Sequence, residues 1–156
     1  MNVTSRLNYK PNKLFPSLLR PMLLIKVIVQ PSSRDGLGVF AAEKIPKGTM
    51  IWQYDPRFDI SYTQAEVDDL PEVQREFIDH YAYLSKKLGK YVLPVDDTRF
   101  TNHSAEPNID ILYTPGDAEV HSVANRDIRA GEELCTDYRT FDSYESESKE
   151  EFLTKK

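Results

Sequence analysis

Ten consecutive residues, Arg99-Phe100-Thr101-Asn102-His103-Ser104-Ala105-Glu106-Pro107-Asn108, gather amide, imidazole, hydroxyl and carboxylate groups between an aromatic ring and a proline. The stretch has neither the period of a helix nor the alternation of a strand. It is either a solvated loop stiffened by Asx-turns at Asn102 and Asn108, or a segment held by a polar ligand and neighbouring backbone. A second stretch, from Arg126 to Tyr138, carries Gly131-Glu132-Glu133-Leu134-Cys135-Thr136-Asp137-Tyr138. Alone it reads as a turn feeding an acidic edge strand, with Tyr138 a packing tyrosine whose hydroxyl reaches the surface. The third is Gly36-Leu37-Gly38, a tight turn between strands or a place where bare backbone comes close to a ligand. A dinucleotide fingerprint needs a third glycine and an immediate helix, whereas Val39-Phe40-Ala41-Ala42 reads as a strand. No Walker sequence and no Gly-x-Ser-x-Gly elbow occur.

Composition narrows the remaining classes. The 156 residues suit one ordinary domain with a real core, at 40% hydrophobic and 29% charged content. A single cysteine, Cys135, excludes a disulfide framework and a cysteine-rich zinc cluster. His80, His103 and His121 show no ligand spacing, so no metal is expected; His80 and His121 read as ordinary helix and strand residues. The net charge of −5 is uneven: Arg6, Lys10, Lys13, Arg20 and Lys26 meet no acid within residues 1–30, which leaves an acidic body. Such a body suits a basic, lysine-rich partner better than nucleic acid phosphates. The apolar run from Leu18 to Val29 is broken by Arg20, Pro21 and Lys26, too often for a membrane span.

The elements that must position these stretches are mostly short strands. Residues 1–21 are basic and proline-broken, and are expected to be a disordered extension or a mis-chosen start, with an organelle-targeting segment as the third reading. Leu23–Val29, Val39–Ala42 and Thr49–Tyr54 read as strands. Thr63-Gln64-Ala65-Glu66 has capping-box spacing and opens a short helix to Leu70. Pro71 opens a second helix through about Leu84, with Val73, Phe77, His80, Tyr81 and Leu84 near helical spacing, and the helical insert spans about residues 63–88. Tyr91–Leu93 is a strand, Ile109–Tyr113 and Glu119–Ala124 form a hairpin across Pro115-Gly116, and Leu134–Thr136 is the last strand. The tail, residues 143–156, is acidic and polar. The sum is a β-rich α+β domain over residues 22–142.

Gly-x-Gly-Val-Phe-Ala, Arg-Phe-x-Asn-His-Ser with Pro-Asn following, and Gly-Glu-Glu-Leu-x-x-Asp-Tyr, in this order, resemble the SET-domain protein lysine methyltransferases over about residues 23–142. The small size is similar to that of minimal bacterial members, which implies a cytoplasmic protein, monomeric or homodimeric. The resemblance implies a β-clip fold of short strands in small sheets, with the segment carrying Asn102-His103 in a knot-like crossing with the C-terminal segment. It implies S-adenosyl-L-methionine as cofactor, held by Gly36, Leu37, Gly38, Arg99, Asn102 and His103. Tyr138 matches the catalytic tyrosine, and Tyr54, Thr136 and Phe141 fall in the lysine channel. The implied activity is methyl transfer to a lysine-containing protein or peptide, without nucleic acid or membrane; the alternative is a non-catalytic module of the same fold gripping a basic peptide. Two departures agree with each other: Ala105 stands where many relatives carry a zinc-binding cysteine, and no cysteine follows Tyr138. Phe141, Tyr144 or Phe152 would then close the channel. Thr136 replaces the Phe or Tyr that often sets how many methyl groups are added, and Gln53 replaces a common glutamate.

Overall fold

A computed structural model describes residues 22–143. The basic extension over residues 1–21 and the tail beyond residue 143, with Tyr144 and Phe152, lie outside the described residues. Eleven strands and two α-helices are assigned among the described residues, in the order β1 (Met22–Leu23), β2 (Val27–Pro31), β3 (Leu37–Ala41), β4 (Met50–Gln53), β5 (Ile60–Tyr62), α1 (Gln64–Asp68), α2 (Glu72–Tyr81), β6 (Tyr83–Leu84), β7 (Tyr91–Leu93), β8 (Asn102–His103), β9 (Ile109–Leu112), β10 (His121–Ala124) and β11 (Cys135–Thr136). The architecture is the expected β-rich α+β one. The largest sheet runs β1-β4-β10-β9-β11-β8, beside a β2-β3 hairpin and a β5-β7-β6 sheet.

Two of the expected elements divide or stop early. The apolar run Leu23–Val29 is two strands rather than one, because β1 pairs with β4 and β2 with β3, in different sheets. The chain therefore turns across Leu24–Lys26, leaving the Lys26 ammonium exposed beside Glu43. The second helix ends at Tyr81 rather than near Leu84. Ala82 is already extended, Tyr83 and Leu84 pair with Val92 and Tyr91, and the Leu84 N–H donates to the Asp142 carboxylate. Those long-range bonds replace the final helical turn. Val73 and Phe77, which carried part of the helical spacing, lie on the exposed side of α2, while Ile78 faces the small core of Val67 and Leu93. The Thr63 capping box is present: Thr63 Oγ1 accepts from the Glu66 N–H, and Glu66 Oε2 accepts from the Thr63 N–H at 2.7 Å.

The main core joins Val39, Ala41, Ile45, Ile51, Trp52, Ile109, Ala124, Ile128 and Leu134. Its C-terminal part shows the anticipated crossing. β11 lies between β8 and β9 and is parallel to both, so residues 104–108 must pass across β11 to reach its other side. Asn108 holds that passage. Its Oδ1 accepts from the Cys135 N–H at 2.9 Å, and its Nδ2 donates to Glu133 O at 2.8 Å and Glu132 Oε1 at 3.2 Å. The Asn102 and Asn108 side chains thus make long-range bonds in place of the Asx-turns that their neighbours in sequence suggested. Residues after β11 return to β6, where Asp142 bridges Ser85.

Candidate active site

The crossing brings two surfaces together through Thr101, Asn102 and His103. On one side is a cavity of about 380 Å³, whose walls include Trp52, Tyr83, Thr101, Thr136, Tyr138 and Phe141. Tyr138 follows β11 in a short 3-10 turn whose N-cap is Asp137, and the turn fixes the ring from three directions. Its hydroxyl donates to Thr101 O at 2.6 Å, its backbone N–H donates to His103 Nδ1 at 3.3 Å, and its ring meets that imidazole edge-on at 5.4 Å. Part burial raises the Asp137 carboxyl, but the paired Arg139 guanidinium and backbone N–H outweigh it and hold the carboxyl below its ordinary value. Phe141 stands 6.0 Å from the Tyr138 ring and 5.0 Å from Tyr83, giving three edge-packed rings on one wall. Such rings attract a cation and exclude water from its surroundings.

On the other side is a backbone cradle at the start of β3. Gly36 has φ +38°, a region that disfavours side chains, and a Cβ there would meet nothing within 4 Å. Asn102 Nδ2 donates to Asp35 O, Leu37 O and Glu133 Oε1 at 2.9–3.2 Å, which leaves Oδ1 as the acceptor that the side chain offers. Gly38 has a different constraint: a Cβ there would lie 2.4 Å from Glu133 Oε1. That carboxylate also accepts from Ser32 Oγ at 2.7 Å and faces Arg34, so Glu133 ties the hairpin to the strand carrying Asn102. The profile of the SET domain matches residues 36–139, the span that holds cradle, crossing and Tyr138. The chain belongs to the SET-domain family. This SET domain is 32% identical over 127 residues to the histone-lysine N-methyltransferase trr of Drosophila melanogaster, covering 72% of the present chain and 5% of that one. It is 28% identical over 130 residues to the histone-lysine N-methyltransferase set5 of Schizosaccharomyces pombe, covering 70% and 41% respectively. The chain therefore spans less than half the length of either curated relative. A solved chain from Plasmodium falciparum aligns over 71% of this chain and 90% of its own, with TM-score 0.48 and 24% identity.

The residues singled out in the sequence divide between the two surfaces of the SET domain. Arg99, Thr136, Tyr138 and Phe141 line the cavity. Gly36, Leu37, Gly38 and Asn102 form the cradle, and buried His103 joins the two. Arg99 Nη1 donates to Val95 O at 2.8 Å, and the guanidinium lies 4.6 Å from the centre of the Phe100 ring. Tyr54 is not among the cavity-lining residues: its ring packs edge-on to Trp52 at 6.4 Å and its hydroxyl bonds Ser61 Oγ at 3.2 Å. Trp52, Tyr83, His80 and Ser122 line the cavity without having been singled out. Only His80 had drawn notice, as an ordinary helix residue. Trp52 fell within the Thr49–Tyr54 strand and Tyr83 within the expected second helix, and nothing local marks either as cavity-lining. Cys135 is buried, and burial pushes its thiol up to about 11, which leaves a small apolar core residue. Among the described residues no cluster of three or more His, Cys, Asp or Glu is arranged to hold a metal ion.

A buried carboxylate gives a pH-dependent prediction. Asp59 is 2% exposed, its Oδ2 accepts from the Asp55 N–H at 2.7 Å, and its Oδ1 has no partner among the described residues. Burial, countered by the Asp55 N–H and reinforced by the Asp96 and Asp55 charges, raises its carboxyl from 3.8 to about 6. The folded value exceeds the unfolded one, so the stability it favours is complete below about 4 and is lost as pH rises through about 6. Asp59→Asn keeps an acceptor for Asp55 and removes the charge. Its unfolding free energy relative to the parent is expected to rise by about 2 kcal/mol between pH 4 and pH 7, at 1.36 kcal/mol per pK unit. Denaturant melts showing the same difference at both pH values would contradict this assignment.

Proposed function

We propose that this SET domain is an S-adenosyl-L-methionine-dependent protein lysine methyltransferase. The observation that carries the reading is the junction at residues 101–103: Thr101 lines an aromatic cavity, where it anchors the Tyr138 hydroxyl, and the next residue, Asn102, closes the open Gly36 cradle. The donor set fits the cofactor. An unobstructed turn with positive φ admits a ligand against bare backbone, and Asn102 Oδ1 is an acceptor suited to an ammonium group. When bound, the cofactor supplies a methyl carbon already activated by a sulfonium. The protein's task is then to orient an amine and to keep it unprotonated.

The cavity residues suit that task. A lysine ammonium has an ordinary pKa of about 10.4. Removal from water among Tyr138, Phe141 and Tyr83 lowers it, favouring the neutral amine. The Tyr138 hydroxyl donates a hydrogen bond to Thr101 O, which leaves its oxygen in the acceptor role toward an amine N–H. His103, in contact with both the ring and the backbone of Tyr138, fixes the direction of that acceptor. The acidic body attracts a lysine-rich segment, and Asp79 and Asp142 lie at the cavity itself.

Isothermal calorimetry with S-adenosyl-L-methionine is expected to show one saturable site. Incubation of core histones with methyl-labelled cofactor is expected to add 14-Da increments on lysine, about the mass of one CH2, read by peptide mass spectrometry. Absence of both cofactor heat and mass gain would overturn the reading and favour a module that grips basic peptides.

A further inference from the structure

Glu119 and Ser85 do not line the cavity, and both are sealed from water, at 1% and 0% exposed. They meet each other: Ser85 Oγ donates to Glu119 Oε2. The same Oγ accepts from the Lys87 N–H at 3.1 Å and from the Leu88 N–H at 2.9 Å, so its one proton and both lone pairs are engaged. The other carboxylate oxygen, Glu119 Oε1, accepts from the Val120 N–H at 2.9 Å. Lys87 Nζ adds bonds to Thr114 O at 3.2 Å and Glu119 O at 3.4 Å, tying the same turn to the same segment. A buried carboxylate is a weak source of net stability even when well bonded, and removing one of its partners is strongly destabilising. What such a pair contributes is a fixed position.

The position it fixes is the joint between the helical insert and the C-terminal segment. Three consecutive residues near the end of the insert, Leu84, Ser85 and Lys86, hold the chain just past Tyr138. The Leu84 N–H donates to Asp142 Oδ1 at 3.3 Å, Ser85 pairs with Asp142 in an isolated antiparallel bridge, and the Lys86 N–H donates to Phe141 O at 3.0 Å. Lys86 Nζ adds a bond to Arg139 O at 2.6 Å. The Phe141 ring is the one that meets both Tyr83 and Tyr138 on the cavity wall. Its backbone is therefore set from the turn at residues 85–88, and that turn is pinned to the residue before Val120, which lines the cavity.

We propose that Glu119 and Ser85 are positioning residues of this site: their hydrogen bond fixes the 85–88 turn and, through the Lys86 N–H bond to Phe141 O, fixes where Phe141 stands against Tyr138. The inference rests on the methyltransferase reading above and deepens it, by naming the contact outside the cavity that holds the lysine-facing wall in place. The cradle of Gly36, Leu37 and Asn102 makes its bonds elsewhere, to Asp35 and Glu133, so the effect falls on the amine half of the site.

Glu119→Gln is the sharper variant for the test. An amide has one oxygen where the carboxylate uses two, so it cannot accept from both the Ser85 hydroxyl and the Val120 N–H. Ser85→Ala removes the hydroxyl itself. Ile128→Val, in the main core and away from the cavity walls, is the control for general loosening. At a temperature where every chain is folded, Glu119→Gln and Ser85→Ala are expected to raise the KM for core histones about ten-fold, with kcat within about three-fold, the pattern of a loosened grip on substrate. Calorimetric affinity for S-adenosyl-L-methionine is expected to stay within about two-fold in both, and Ile128→Val to keep the parental KM. A second measurement needs no turnover. With 4-fluorophenylalanine in place of phenylalanine, the Phe141 fluorine resonance, recognised by its loss in Phe141→Leu, is expected to move or broaden in Glu119→Gln and to keep its parental position in Ile128→Val. A parental KM or a parental Phe141 resonance in Glu119→Gln, or an equal rise of KM in Ile128→Val, would overturn the assignment while leaving the methyltransferase reading intact. A parent that neither binds cofactor nor methylates lysine would overturn both.

Discussion

Tyr138→Phe is expected to reduce methyl transfer by roughly 100-fold or more while leaving cofactor affinity within a few-fold. The magnitude follows from what the hydroxyl does. It is the anchored group of the cavity, tied to Thr101 O at 2.6 Å, and a displaced or missing orienting group can cost about two orders of magnitude even when binding is unchanged. The cradle of Gly36, Leu37 and Asn102 does not use the Tyr138 side chain, which is why cofactor heat should survive. Loss of one partly buried hydrogen bond lowers stability by only about 1 kcal/mol, so the variant remains folded at assay temperature. Single-turnover transfer and calorimetry on the same preparation separate the two effects. Full activity in the phenylalanine variant would mean that the tyrosine only packs.

Substitution at Asn108 is expected to be the most destabilising considered, Asn108→Ala by about 4 kcal/mol. One side chain, 3% exposed, accepts from a buried backbone N–H and donates to a backbone carbonyl and a carboxylate. Each bond contributes on the order of 1 kcal/mol, and the Cys135 N–H left unsatisfied between two strands adds one to three more. A loss of that size lowers the melting temperature by roughly 10 °C or more in a domain of this length. Asn108→Asp keeps the acceptor but sets a buried carboxylate against Glu133 O and the Glu132 carboxylate, and should destabilise at least as much. An Asn108→Ala variant within about 1 kcal/mol of the parent would show that the crossing is held by backbone pairing alone.

What could be read from the sequence was whatever depends on neighbours within a few residues. The Thr63–Glu66 capping box, the turn at Pro115-Gly116 and the glycine turn at Gly36 belong to this class, because cap and turn chemistry is local. The order of Asn102-His103, Glu132-Glu133 and Tyr138 pointed to the family, although no residue in those stretches says alone what it contacts. What failed depends on partners distant in the chain. Nothing near Lys26 signals that the strands on either side serve different sheets, and nothing near Tyr83 signals that β7 and Asp142 take it out of a helix. Asn108 looked like a local turn former because asparagine usually is one, yet its partners lie beyond the next hairpin. Gly38 looked like a ligand-approach position, but a Cβ there would meet the carboxylate of Glu133, which read as part of an acidic edge strand. Tyr54 directly follows β4 and Tyr83 lies in β6, and which of them lines the cavity depends on how the insert folds back.

The insertion of β11 between β8 and β9 also fixes when the site can exist. Both neighbours are made long before β11, yet neither can reach its final pairing until β11 arrives between them. Cradle and cavity share that same strand: Glu133 just ahead of it steadies Asn102, and Tyr138 just behind it completes the aromatic wall. A growing chain on the ribosome therefore carries every cradle residue but no working centre until residues up to Asp142 have emerged. Such late, non-local closure belongs with slow folding, in the range of milliseconds to seconds rather than microseconds. On the proposed reading, activity and completion of the domain are thereby one event, and a chain cut short before Tyr138 is expected to have no partly active form.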